Sequence, residues 1–165
     1  MGKVQSGFDC DRRCKELVAE KLKQEAEKKN RKLIVDLHND NDQEGIDIHM
    51  TSTTITDEFL NKLALELKER YSASTDQEFW FIELPKERKL RVAEEEGYKG
   101  LYSMYFRTDR LLAIWDINTW DKRELEPKAS YKHTVSDGGR YDDEQKIMRR
   151  RWGVSLKSAI RQYQL

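Results

Sequence analysis

Two acids interrupt apolar runs in this chain. Asp47 lies in Ile46-Asp47-Ile48-His49-Met50, and Glu83 sits near the end of Glu78–Leu84, a run of five apolar residues in seven. A carboxylate on a buried strand is expensive unless a cation, a metal or a ligand meets it. If the two strands are neighbours, both carboxylates reach one sheet edge, where their repulsion raises a pKa. A divalent cation removes that cost, and Mg²⁺ accepts a few carboxylates plus waters. Such a site activates water for attack on a phosphodiester. The alternative is that one acid faces solvent while the other pairs with Lys or Arg. His38 and His49 are further candidates beside Asp47, or else polar surface. Asp40-x-Asp42-x-Glu44-Gly45 imitates the start of a calcium loop, but its twelfth position is Thr51 instead of Glu, so it reads as a polar turn.

The second chemical signal is charge. The 165 residues carry 31 Lys+Arg and 31 Asp+Glu, so no net field steers the protein toward DNA or a membrane. The balance is uneven along the chain. Residues 127–165 hold nine Lys/Arg and four acids, a local net of +5. Within them Arg149-Arg150-Arg151-Trp152 joins cations to a ring that can stack on a base, and Lys132 extends the patch. Alternatively this is a solvated end with Trp152 tucked into the core.

These residues need a scaffold, and a chain of this length can bury roughly 70% of its unfolded surface as one domain. No apolar run approaches the ~18 residues of a membrane span. The N-terminus lacks a signal-peptide core, and Cys10 and Cys14 make no zinc site by themselves. A reduced, cytoplasmic protein is the expectation.

Residues 1–8 read as a flexible leader before a helix that starts at Asp9 or Asp11 and runs to about Lys29, with Cys14, Val18, Leu22 and Ala26 as its stripe. Asn30 is its stop. Residues 31–37 and 46–50 read as strands joined by a polar turn. Phe59, Leu60, Leu63, Ala64 and Leu67 predict a helix ending near Tyr71. Residues 78–84 predict a buried central strand, and 85–98 an irregular charged stretch. Leu101–Phe106 and Leu111–Ile117 predict a hairpin. A short helix to about Leu125, an edge strand over 130–135 and a final helix capped by Ser155 complete the reading. The class is α+β: one domain over 9–165 with a basic end at 127–165, built on a mixed sheet of about five strands flanked by helices.

The order helix, strand, turn, Gly-Ile-Asp-Ile, later an apolar strand ending Ile-Glu and then a strand hairpin resembles the PD-(D/E)xK nuclease superfamily, the restriction-endonuclease-like fold. More narrowly it is similar to small phage-type members. The matching residues are Phe79–Leu84, Gly97–Gly100, Leu101–Ile117 and Trp120–Leu125, within roughly residues 12–125. The resemblance implies Asp47 as the first metal-binding acid, Glu83 as the second, and Mg²⁺ or Mn²⁺ as cofactor. That family places a lysine two residues after the second acid. Here Pro85 holds that place, with Lys86 next and Lys89 a substitute. The family also has a tight hairpin where this chain predicts a helix between the acids. Glu16 or Glu20 on the first helix would add a carboxylate, or else lie on a solvated face.

Three functions follow as expectations. The first is a metal-dependent nuclease acting on DNA. Asp47 and Glu83 would hold the ion, Lys86 or Lys89 would steady the phosphate, and Arg149–Arg151 would grip the backbone. The second is a non-catalytic nucleic-acid-binding module on the same fold. The third is a protein-interaction factor, such as a small phage protein that inhibits a host enzyme.

Overall fold

The computed structural model describes residues 2–38, 45–54, 61–131 and 146–165. A first helix, α1 (Gly2–Lys28), takes in the residues read as a leader and ends where Asn30 adopts φ 55°. Cys14, Val18 and Ala19 form its buried face. Three strands follow: β1 (Arg31–Leu37), β2 (Ile48–Thr54) and β3 (Asn61–Arg70), paired antiparallel in that order. Two residues, β4 (Trp80–Phe81), then lead into α2 (Leu84–Glu95). After it come β5 (Lys99–Phe106) and β6 (Leu111–Asp116), the expected hairpin. The chain closes with β7 (Lys122–Tyr131), β8 (Lys146–Val154), a 3₁₀ turn (Leu156–Ser158) and β9 (Arg161–Gln164).

One mixed sheet has the order β1-β2-β3-β5-β6-β9, and a small sheet has the order β4-β8-β7. Among the described residues only β3 and β5 run parallel, with α2 as the crossover such a pair requires. The α+β class therefore holds, with six strands in the main sheet where about five were expected. Each face of that sheet has its own core. On one side Ala64, Tyr102, Phe106 and Trp115 pack with Leu90 and Ala93 of α2 and with Trp80 and Ile82. On the other, Leu65, Leu67, Leu101 and Leu112 pack with Cys14 and Val18 of α1.

Several local expectations are corrected, and burial on two faces explains the largest. Leu63, Ala64 and Leu67 have helical spacing, yet they lie on β3. A central strand covered on both sides reads as an apolar run, which imitates a helix stripe. Its alternation sends Leu63, Leu65 and Leu67 toward α1 and Ala64 toward α2. Phe59 and Leu60 lie outside the described residues.

Residues 78–84 are not a central strand. Only Trp80–Phe81 pair, and they pair with β8. Pro85 does not close a strand there: it lies in the first turn of α2, where its missing N–H is no loss. The stretch read as irregular is thus α2, a helix burying only Leu90 and Ala93. The helix expected to about Leu125 is instead strand β7, which accommodates Pro127 at a register shift between Leu125 and Lys128. Ser155 does cap, accepting a hydrogen bond from the Lys157 N–H, but the helix it starts is a single 3₁₀ turn. Among the described residues no helix is long and apolar enough to cross a membrane.

Candidate functional site

The site begins where a ladder stops. The β2–β3 register ends at Ile48 opposite Leu65, so the next facing positions are Asp47 and Glu66. There the strands no longer exchange backbone hydrogen bonds, and the Asp47 side chain turns inward instead. Its Oδ2 accepts from the Leu67 N–H at 2.9 Å, while the Asp47 N–H donates to Glu66 Oε1 at 3.3 Å. Two carboxylates thus share one place at the edge of β3, and Glu66 is fully buried.

A cation sits between them. From the start of α2, Lys86 Nζ donates to Asp47 Oδ2 at 3.0 Å, to Glu66 Oε2 at 2.9 Å and to the Leu67 carbonyl at 3.2 Å. From α1, Lys15 Nζ lies 3.4 Å from Asp47 Oδ1 and donates to the His38 carbonyl at 3.2 Å. Burial pushes the Asp47 carboxyl up, but the hydrogen bond with Glu66, the Lys86 charge and the Leu67 N–H outweigh it and bring the group to about 2. Burial and the hydrogen bond with Asp47 push Glu66 the other way, to about 7. Burial alone would lower Lys86, yet the two acids hold it above its ordinary value. The pair behaves as neighbouring carboxylates do, one ionised and one holding a proton into the neutral range.

Two residues beyond Glu66 on the same face of β3, Lys68 pairs with Glu83 at 2.5 Å. Glu83 stands immediately before α2, and its N–H donates to the Tyr102 hydroxyl at 3.1 Å. Burial, against that hydrogen bond, pushes Tyr102 up to about 12.

Of the residues expected from sequence, Asp47 and Lys86 are brought into contact. Glu83 joins the neighbourhood through Lys68 and makes its ion pair there. Lys89 lies one turn along α2 from Lys86. Glu16 and Glu20 are exposed on α1. His38 and His49 contact each other at 2.6 Å, and His49 also packs on Tyr98. In the basic end, Arg150 is exposed and clasped by Glu124 at 2.7 and 3.0 Å. Arg151 lies 5.5 Å from the Phe81 ring centre. Trp152 is half-buried, with Lys122 and Arg150 over its ring. Arg149 is in β8 opposite Lys128. Lys132 and residues 39–44 of the expected calcium-like turn lie outside the described residues.

Glu66, Lys68 and Lys15 were missed. The signal for the first two was Glu66-Leu67-Lys68, an acid and a lysine two apart within alternating leucines. Reading that stretch as a helix concealed it, because only a strand puts both on one face. Among the described residues, no three His, Cys, Asp or Glu side chains group as metal ligands. The donor set is two carboxylates and a main-chain carbonyl. Comparison with family models, with curated proteins and with solved structures returned no match.

Proposed function

We propose that the protein is a divalent-metal-dependent nuclease whose cation seat is built from Asp47, Glu66 and the Leu67 carbonyl. The observation that supports this reading is the convergence of those three oxygens on one positive centre, Lys86 Nζ, at 2.9–3.2 Å. Hard oxygens with few carboxylates suit Mg²⁺ or Mn²⁺, and the ammonium marks where a cation is stabilised. The stem of Lys86 is flexible enough to yield the seat. When bound, such an ion would acidify a water and polarise a phosphoryl oxygen.

The chain's own residues divide the remaining work. Asp47 stays ionised, held by the Leu67 N–H and Lys15. Glu66 would release its proton to solvent as the ion takes its place. Lys68, on the face of Glu66, and a displaced Lys86 supply positive charge to the phosphate undergoing attack. The restriction-endonuclease-like resemblance draws support from the element order: a helix, three antiparallel strands, a crossover helix and a strand parallel to the third. On this reading Glu66-Leu67-Lys68 is the acid-x-lysine element first sought at Glu83.

A second reading is a nucleic-acid-binding protein without catalysis. It is favoured by Lys86 itself, which neutralises the acid pair with no metal at all. Nicking of supercoiled plasmid with Mg²⁺ or Mn²⁺ decides between them. The nuclease relaxes plasmid only with metal, and Asp47→Asn and Glu66→Gln abolish it. A folded wild-type protein that retards DNA but never cuts it supports the second reading.

A further inference from the structure

We propose that the basic cleft beside the start of α2 holds a single strand of DNA and leads it past Glu83 toward the acid pair; only the destination of the strand rests on the nuclease reading. The cleft encloses about 840 Å³ between β4, α2 and the small sheet. Arg70, Arg88, Lys128 and Arg151 line it against one acid, Glu83, which Lys68 already pairs. Arg150 also lines it but is clasped by Glu124. Four cations with so little counter-charge suit a phosphate backbone. Arg70 Nη2 donates to the Phe81 carbonyl at 2.6 Å, and its buried Nε has no partner among the described residues. That guanidinium is one acceptor short.

The rings choose between a strand and a duplex. Phe81 lines the cleft with Arg151 5.5 Å from its ring centre. Outside the cleft's lining, Tyr71, next in the chain to Arg70, is 70% exposed with Arg107 5.0 Å from its ring centre. Ring–guanidinium pairs of this kind present flat faces on which unpaired bases stack. A duplex keeps its base faces inside and leaves such rings unused. The volume lies in the range of small-ligand pockets, room for a few nucleotides and too little to enclose a double helix.

Arg70 lines the cleft, and Glu66 of the seat lies four residues earlier on the same strand. Glu66, Lys68 and Arg70 follow one another on one face of β3, so the strand passes from the arginines over Lys68 to the buried acids. The proposal needs no metal to be tested.

Fluorescence anisotropy in EDTA would compare the full-length chain on a labelled mixed-sequence strand of about 12 nucleotides and on its blunt duplex. The strand is expected to bind about ten-fold more tightly than the duplex. Arg88→Gln, an exposed change that leaves the core intact, and Arg151→Gln are each expected to weaken strand binding roughly five-fold or more. Arg12→Gln, exposed on α1, is expected to bind as the parent does. Equal or tighter duplex binding overturns the proposal, and so does unchanged binding by Arg88→Gln and Arg151→Gln. Tighter binding of the same sequence as RNA overturns the choice of DNA. A protein that prefers the strand but cuts neither it nor plasmid with Mg²⁺ or Mn²⁺ leaves this proposal standing and removes the nuclease reading. A protein that cuts plasmid without preferring the strand does the reverse.

Discussion

At Glu66, burial and the neighbouring Asp47 both favour the protonated carboxyl, and Lys86 alone opposes them. The folded group holds its proton to about 7, whereas the unfolded group releases it near 4.5. The native state therefore binds more protons between these values. Its contribution is fully present below about 4.5 and is lost as pH rises toward 7. The loss is on the order of 3 kcal/mol. Asp47 acts in the opposite sense, stabilising above its ordinary 3.8 and losing that contribution as pH falls toward 2. Thermal unfolding followed by circular dichroism should show metal-free protein losing more stability from pH 5 to 7.5 than Glu66→Gln loses over that window. Parallel profiles for the two proteins would count against the buried proton. Lys86→Met removes the cation the two acids share and leaves Asp47 with Lys15 as its counter-charge, at a cost of about 3–5 kcal/mol without metal. Mn²⁺ should restore more of the lost melting temperature in that variant than it adds to the parent. An equal shift in both would mean the ion binds elsewhere.

At the scale of elements, the site depends on β3. Leu65 is fully buried between α1 and the sheet, so Leu65→Ala should cost roughly 2–5 kcal/mol in urea unfolding. Tyr102→Phe removes the acceptor for the Glu83 N–H at the start of α2, and about 1 kcal/mol with it. A loss below the error of the measurement would show that water replaces the hydroxyl. The same strand marks the limit of what could be read from the sequence. β1, the β5–β6 hairpin and the long first helix were legible because each shows one clean period or one turn signal. β3 was not, because it carries apolar residues on two faces and so satisfies a helical spacing as well as an alternating one. β4 was misjudged for a related reason. Trp80 and Ile82 are buried as a strand's residues would be, but they plug a core with only two residues paired. At the site, Asp47 was visible as an acid in an apolar run, and Lys86 as a lysine just past the end of another, Glu78–Leu84. Glu66 was hidden inside the mistaken helix. Pairing between β2 and β3, a non-local fact, is what sets Asp47 and Glu66 opposite each other.

For the whole molecule, a net charge of zero means that the proposed attraction to DNA would be local. It should therefore be short-ranged and sensitive to salt. A single strand held by three or four phosphates loses roughly 20- to 50-fold in affinity between 50 and 200 mM salt. A flat salt dependence would point instead to a partner recognised without phosphate contacts. The architecture places each requirement on a different part: α1 supplies Lys15, the β2–β3 edge supplies the oxygens, α2 supplies Lys86, and the small sheet walls the cleft. All of this converges on whether the oxygens of Asp47, Glu66 and Leu67 form a seat for a divalent ion. Isothermal titration of Mn²⁺ into the metal-free protein at pH 6 and pH 8 measures that directly. One ion per chain should bind about ten-fold more tightly at pH 8, since it must displace the Glu66 proton, and Glu66→Gln should abolish binding. No binding by the parent at millimolar Mn²⁺, or undiminished binding by Glu66→Gln, would contradict the seat.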